Sequence, residues 1–127
     1  MKKVESLIPG AIESIKNKIG NQGYTIPSEY NGYINRFGIS VRQSGIIPTL
    51  AFYSKKAQAG EEDRSRILDV LLELLKILKS DYSNYKSLLF LVLENMNHIE
   101  VVQRDIIAAA IAVKLAIRVF QQEEKSP

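Results

Sequence analysis

The chain has 127 residues and is 46% hydrophobic, enough to bury a core as one domain, which excludes global disorder. Its 17 Lys and Arg against 14 Asp and Glu give a net charge of +3. It has no Cys and one His, which excludes a disulfide framework, thiol chemistry and a Cys/His metal centre.

The opening MKKVESLIPGAIESIKNK carries Glu5, Glu13 and Lys16 where a secretory leader would be apolar throughout. The longest apolar stretch, residues 106–120, carries Lys114 and Arg118 and does not read as a membrane span. The expectation is a soluble, cytoplasmic protein. Val4, Leu7, Ile8, Ala11, Ile12, Ile15 and Ile19 recur at helical spacing and predict a first helix over about residues 4–20. Pro9 and Gly10 interrupt it, so that helix is expected to start near Ser6 or to kink. Residues 20–27 (GNQGYTIP) read as a loop.

Ser28 is a candidate N-cap for a second helix, 29–44, with Glu29 in its first turn. Tyr30, Ile34, Phe37, Val41 and Ser44 share one side of it. Arg36 and Arg42 project about 120° to either side. Gly32 and Gly38 weaken this helix, and close approach of another backbone is the expected return. Gly45 stops it, and Pro48 suits the first turn of a short third helix, 48–57. Leu50, Ala51, Tyr53 and Ser54 alternate there with Phe52, Lys55 and Lys56, so its two sides are less distinct.

Glu61, Glu62 and Asp63 suit the start of a fourth helix, 62–80. It has a narrow polar stripe of Arg66, Asp69, Glu73, Lys76 and Ser80 on an otherwise apolar cylinder, with Lys76 placed to meet Asp69 or Glu73. Asp81 is expected to cap a fifth helix, 82–96, turning Tyr85, Leu88, Leu89, Val92 and Met96 inward. Ile99, Val102, Ile106, Ala109, Val113, Ile117 and Phe120 mark a last helix, 99–121, whose AAAIA centre permits close packing. Residues 122–127 read as a frayed polar tail. No strand signal is convincing, so the expected fold is all-α: a single compact bundle of about six helices.

Chemistry is sparse. His98 has no nucleophile elbow beside it and reads as a cap or surface residue. GNQGYTIP lacks the Lys and the spacing of a phosphate loop. Glu94, Glu100 and Asp105 form no carboxylate pair that the spacing can place. The reading is of a protein that is not an enzyme, with no cofactor, metal or small-molecule substrate.

Charge is unevenly spread. Residues 30–60 contain Arg36, Arg42, Lys55 and Lys56 but no Asp or Glu; the remainder holds 13 basic and 14 acidic residues. The whole positive excess therefore sits in one segment, which fits a polyanionic partner. The competing reading is a solvated face with its acidic partners elsewhere in the fold. Among the nearby aromatics, Tyr30 falls on the apolar side. For Tyr33 and Tyr53 both burial and stacking on nucleobases stay open.

The run VRQSGIIPTLAFYSK, residues 41–55, with a Tyr about ten residues before it, resembles the signature of the small all-helical subunit of the Cmr effector complex, the type III-B CRISPR ribonucleoprotein. Ser44 stands where that family usually has Asn, Ile46 where it has Leu, and the last helix lacks a frequent Trp. The Asn-to-Ser change is expected to weaken a polar contact at the helix junction. The resemblance implies copies of the chain stacked beside other Cmr subunits and the crRNA-bearing backbone, lining the groove that holds crRNA and target RNA. Cleavage would belong to other subunits.

Arg42, Lys55 and Lys56 are the motif positions that the resemblance assigns to RNA phosphates, a contact that needs cations but no base readout. Arg36 joins them on local charge, and Lys114 and Arg118, one turn apart on the last helix, extend the basic surface. For Arg42 a cap on helix-end carbonyls competes. Two other classes stand beside this reading: an adaptor bundle that docks an acidic protein and never meets RNA, and a hydrolase built on His98.

Overall fold

The computed structural model describes residues 2–20, 24–55 and 57–123. Its helices are α1 (Lys2–Lys18), α2 (Glu29–Ser44), α3 (Ile46–Tyr53), α4 (Ser65–Leu78), α5 (Leu88–Leu93) and α6 (Ile99–Ala116). Two three-residue strands, β1 (Thr25–Pro27) and β2 (Gln121–Glu123), complete the described elements, with 3₁₀ turns at Ser80–Tyr82, Met96–His98 and Ile117–Val119. The fold is the mostly helical bundle that the periodicity predicts.

The core is built around α6, which packs on α1, α4 and α2. Ala108, Ala109, Ala110, Ala112 and Ala116 are all buried. Their small side chains let three helices approach one axis. From α4 come Ile67, Leu68, Val70, Leu71, Leu72, Leu74 and Leu75, the apolar cylinder expected of it.

The first helix does not start near Ser6: α1 is assigned as helix without interruption from Lys2 through Pro9 to Lys18. Pro inside a helix costs about 3 kcal/mol. Burial of Val4, Leu7, Ala11 and Ile15 against α6 and α4 offsets it. At Gly10 α1 comes close to α4: a Cβ there would stand 2.7 Å from Ile77 Cδ1.

Sequence expectations fail at both ends of the chain. Residues 25–27 are not plain loop. The last helix stops at Ala116, followed by a 3₁₀ turn, short of the expected 121, and residues 122–123 of the expected frayed tail are strand. Residues 25–27 and 121–123 pair as a parallel ladder, Ile26 opposite Gln122, with the Gln121 amide donating to the Tyr24 carbonyl at 2.7 Å. Ile26 and Phe120 are both buried, and their burial brings the two backbones side by side. Such short strands carry no alternation to read. Residues 124–127 lie outside the described residues.

The fifth helix is the larger miss. Helix is confined to Leu88–Leu93, capped by Ser87 Oγ, which accepts from the Phe90 amide at 3.1 Å. Asp81 instead sits in the 3₁₀ turn Ser80–Tyr82. Asn95 Nδ2 donates to the Leu91 carbonyl at 2.7 Å and to Tyr85 Oη at 3.2 Å. Its side chain thus takes up a helix-end carbonyl. Leu88 and Val92 point inward as expected, but Met96 is exposed.

Smaller corrections follow the same logic. Ser28 is itself in the helical region and makes no side-chain cap. α4 starts at Ser65, whose amide and hydroxyl both bond Asp63 Oδ1. Glu73 turns to α1, accepting from Ser14 and lying 3.6 Å from Lys18 Nζ, in place of pairing with Lys76.

Candidate nucleic-acid interface

The α2–α3 junction sets the geometry of the basic segment. Gly45 has φ of 95°, a left-handed-side conformation that a side chain would strain. Its amide closes α2 on the Val41 carbonyl at 2.9 Å, and α3 begins at the next residue. Thr49, fully buried, donates to the Gly45 carbonyl at 2.8 Å and shares a 2.8 Å hydrogen bond with Ser40 Oγ. The polar contact at this corner is therefore made by Ser40 and Thr49, and the exposed Ser44 takes no part in it. Gly32 and Gly38 do not serve backbone approach. A Cβ at Gly38 would meet nothing within 4 Å, and one at Gly32 would meet the Arg36 guanidinium.

The tyrosines left open by the sequence are core. Tyr53 donates to the Tyr33 carbonyl at 2.6 Å, and Tyr33 to the Glu62 carbonyl at 3.0 Å. Tyr30 packs edge-on against Tyr33 with its hydroxyl buried and, among the described residues, unpartnered. Burial pushes the Tyr30 phenol up to about 12, tempered by Arg66. Burial raises Tyr33 and Tyr53 as well, with Arg64 pulling both back and Arg36 also pulling on Tyr53. These three rings are committed to the fold and are not free to stack on bases.

The predicted cations do not gather in one place. Arg42 of α2 and Lys114 of α6, distant in sequence, meet at one cleft of about 180 Å³ floored by Ile34, Gly38, Ile107 and Ala110. Arg42 makes no hydrogen bond to helix-end carbonyls, so the capping role is not seen; the Gly45 amide does that work. Arg118 follows one turn beyond Lys114, in the 3₁₀ turn after α6, and is exposed. Arg36 and Lys55 lie instead over aromatic rings of α2 and α3. The Arg36 guanidinium lies 5.9 Å from the Tyr33 ring centre, and Lys55 Nζ lies 5.8 Å from that of Phe52. Lys56 lies outside the described residues.

A family profile described as CRISPR-associated protein (Cas_Cmr5) matches residues 8–117. The chain belongs to the Cas_Cmr5 family. It is thereby a subunit of the type III-B Cmr complex. Neither the curated proteins nor the solved structures gave a match. Among the described residues no helix is long and apolar enough to cross a membrane.

Two features of this Cas_Cmr5 chain escape a reading of its sequence. The first is Arg64, which covers the Phe52 ring at 4.4 Å while pairing with Glu61 at 3.6 Å. It comes from the far end of the α3–α4 connector, and no spacing rule links it to Phe52.

The second is Asp105. Its carboxylate is 1% exposed and accepts from Lys3 Nζ at 2.9 Å, Lys79 Nζ at 2.9 Å and Tyr82 Oη at 2.7 Å. Burial alone would raise its carboxyl, but the bonds from Lys79, Lys3 and Tyr82 outweigh that and hold it below the usual carboxylate range. Tyr82 is pushed up, by burial and by the same hydrogen bond. α1, the residue that ends α4, the Ser80–Tyr82 turn and α6 are tied at this point, a structural clamp with both carboxylate oxygens engaged. The available signal was position: Asp105 falls beside Val102, Ile106 and Ala109 on the apolar side of α6. His98 is exposed at the end of a 3₁₀ turn and makes no side-chain cap.

Proposed function

We propose that this Cmr subunit is non-catalytic and supports crRNA and target RNA through an electrostatic surface while packing against sister subunits and further copies of itself. One observation carries the reading. Arg36, Arg42, Lys55, Lys114 and Arg118 are all exposed, and among the described residues none has a carboxylate within ion-pair distance. Lys3, Lys18, Arg64 and Lys79 are each spent on an acid, whereas Lys16, Lys76, Lys86 and Arg104 are, among the described residues, exposed without one as well; what marks Arg36, Arg42 and Lys55 is that their segment, residues 30–60, holds no Asp or Glu. Uncompensated cations on a chain of modest net charge are what phosphate contact requires.

A second reading is favoured at one spot. Ile39 and Ile111, 53% and 40% exposed, line the Arg42–Lys114 cleft. Exposed isoleucines beside cations suit a protein segment carrying apolar and acidic side chains, as an adaptor reading or a sister subunit would supply. RNA affinity measured against salt separates the two. If the cleft holds phosphates, Arg42→Glu and Lys114→Glu each weaken RNA binding and lower the log–log salt slope by about one. If the slope is unchanged and the variants instead lose co-purifying Cmr subunits, the cleft is a protein interface.

A further inference from the structure

Phe52 is one of two strongly exposed phenylalanines. It is 48% exposed, and Phe90 is 60% exposed. Their surroundings differ. Among the described residues Phe90 has no cation over its ring. Phe52 has two: the Arg64 guanidinium at 4.4 Å and Lys55 Nζ at 5.8 Å. The Arg64 side chain is only 18% exposed. The ring face it covers is therefore the inner one, and the exposed area of Phe52 belongs to its outer side. Tyr53, T-shaped against Phe52 at 5.8 Å, and through it Phe37 at 5.3 Å, anchor the ring to the core. The ring is thus held from below and beside while its outer face meets solvent.

This arrangement has a chemical consequence. A fixed aromatic face in water, backed by a guanidinium, stacks planar π-systems with little loss of side-chain freedom. Glu61 neutralises Arg64, so Arg64 braces the ring and Lys55 is left as the uncompensated cation beside it. An aromatic plane with an ammonium 5.8 Å from its centre, on a long flexible side chain, matches a nucleotide, with the base on the ring and the lysine turned to the phosphate.

We propose that Phe52 is a stacking platform for an unpaired nucleobase, with Arg64 bracing the ring from the protein side and Lys55 placed for the adjacent phosphate. The proposal rests on the RNA-binding reading and deepens it. RNA at this face is engaged as splayed or single-stranded nucleotides, not only as a duplex backbone. The stack is tolerant of base identity, because every base has a π-face.

The test is a solution NMR titration of the full-length chain with a short oligouridylate, carried to millimolar RNA so that weak binding is still read. The Phe52 ring protons are expected to move upfield on stacking, with the Lys55 amide shifting along the same isotherm. Phe52→Leu keeps an apolar side chain of similar reach but no ring. It should weaken binding about five- to 150-fold without changing the salt slope, while Phe52→Trp restores it. Phe90→Leu should leave binding unchanged. If Phe52→Leu binds as wild type while Arg42→Glu or Lys114→Glu weakens binding, the platform is wrong and the electrostatic reading survives. If the wild type shows no salt-dependent shift anywhere, both fall together. Loss of co-purifying protein subunits from Phe52→Leu, with RNA affinity intact, would make this face a protein interface and overturn the proposal.

Discussion

Asp105→Asn is expected to destabilise the protein by about 3 kcal/mol. The carboxylate is buried and accepts three hydrogen bonds, two from ammonium groups. A hydrogen bond to a charged group is worth about 1.5–3 kcal/mol when both partners are buried, which applies to Tyr82. Lys3 and Lys79 are 39% and 41% exposed, so water takes up much of their charge on release and each contributes about 0.5–1 kcal/mol. Lys3 bonds one carboxylate oxygen while Lys79 and Tyr82 share the other, so asparagine serves one side only and turns an amide donor towards the donors on the other, and an unmatched buried donor costs about 1–3 kcal/mol. Against these the smaller dehydration cost of a neutral side chain is a gain, which places the sum near the lower end for a broken buried pair.

For a chain of 127 residues that corresponds to a fall in Tm of about 10 °C. Thermal unfolding followed by circular dichroism at neutral pH measures it. The pH dependence supplies a second check. The Asp105 carboxyl is held below its ordinary value of about 3.8. Its contribution is therefore complete above about pH 4 and is lost as pH falls through the folded value. The gap between wild type and Asp105→Asn should narrow as pH falls below about 4. A loss under about 1 kcal/mol at neutral pH, or a gap that does not narrow in acid, would refute the clamp.

Other outcomes follow from the same structure. Gly38→Ala and Gly45→Ala should move stability in opposite directions in chemical denaturation. The first gains about 0.5–1 kcal/mol from helix propensity, because a Cβ there meets nothing. The second loses about 1–2 kcal/mol, because φ of 95° strains an alanine. Alkaline stability should decline as pH rises from about 10 towards 12. The Tyr30 phenol, raised to about 12 by burial, favours the folded state only while neutral, so its contribution is present below the unfolded value and lost above it. Tyr30→Phe should flatten that decline in an unfolding series across pH. It should also be near neutral or stabilising at pH 7, since the hydroxyl it removes is buried with no partner among the described residues.

Helical periodicity was enough to locate α2 at residues 29–44 and the apolar cylinder of α4, because a 3.6-residue repeat of Leu, Ile and Val reports which side must leave water. Charge counting was enough to single out the basic segment, and the motif at residues 41–55 to indicate the family, since both are properties of neighbours along the chain. The short α5 was not legible that way. Its apolar spacing continues through Met96, and what ends the helix is Asn95 reaching back to Leu91. Nor was the β1–β2 pairing, which joins residues almost a chain length apart through the burial of Ile26 and Phe120.

The candidate site divides on the same line. That Arg36, Arg42, Lys55, Lys114 and Arg118 are cationic is written in the chain. That Arg42 and Lys114 share a cleft, that Arg64 lies under Phe52, and that Tyr33 and Tyr53 are spent on backbone carbonyls were decided only when α2, α3, α4 and α6 packed. Whether a polar or aromatic side chain is free depends on what stands opposite it, and that is fixed by the closure of the core, not by its sequence neighbours.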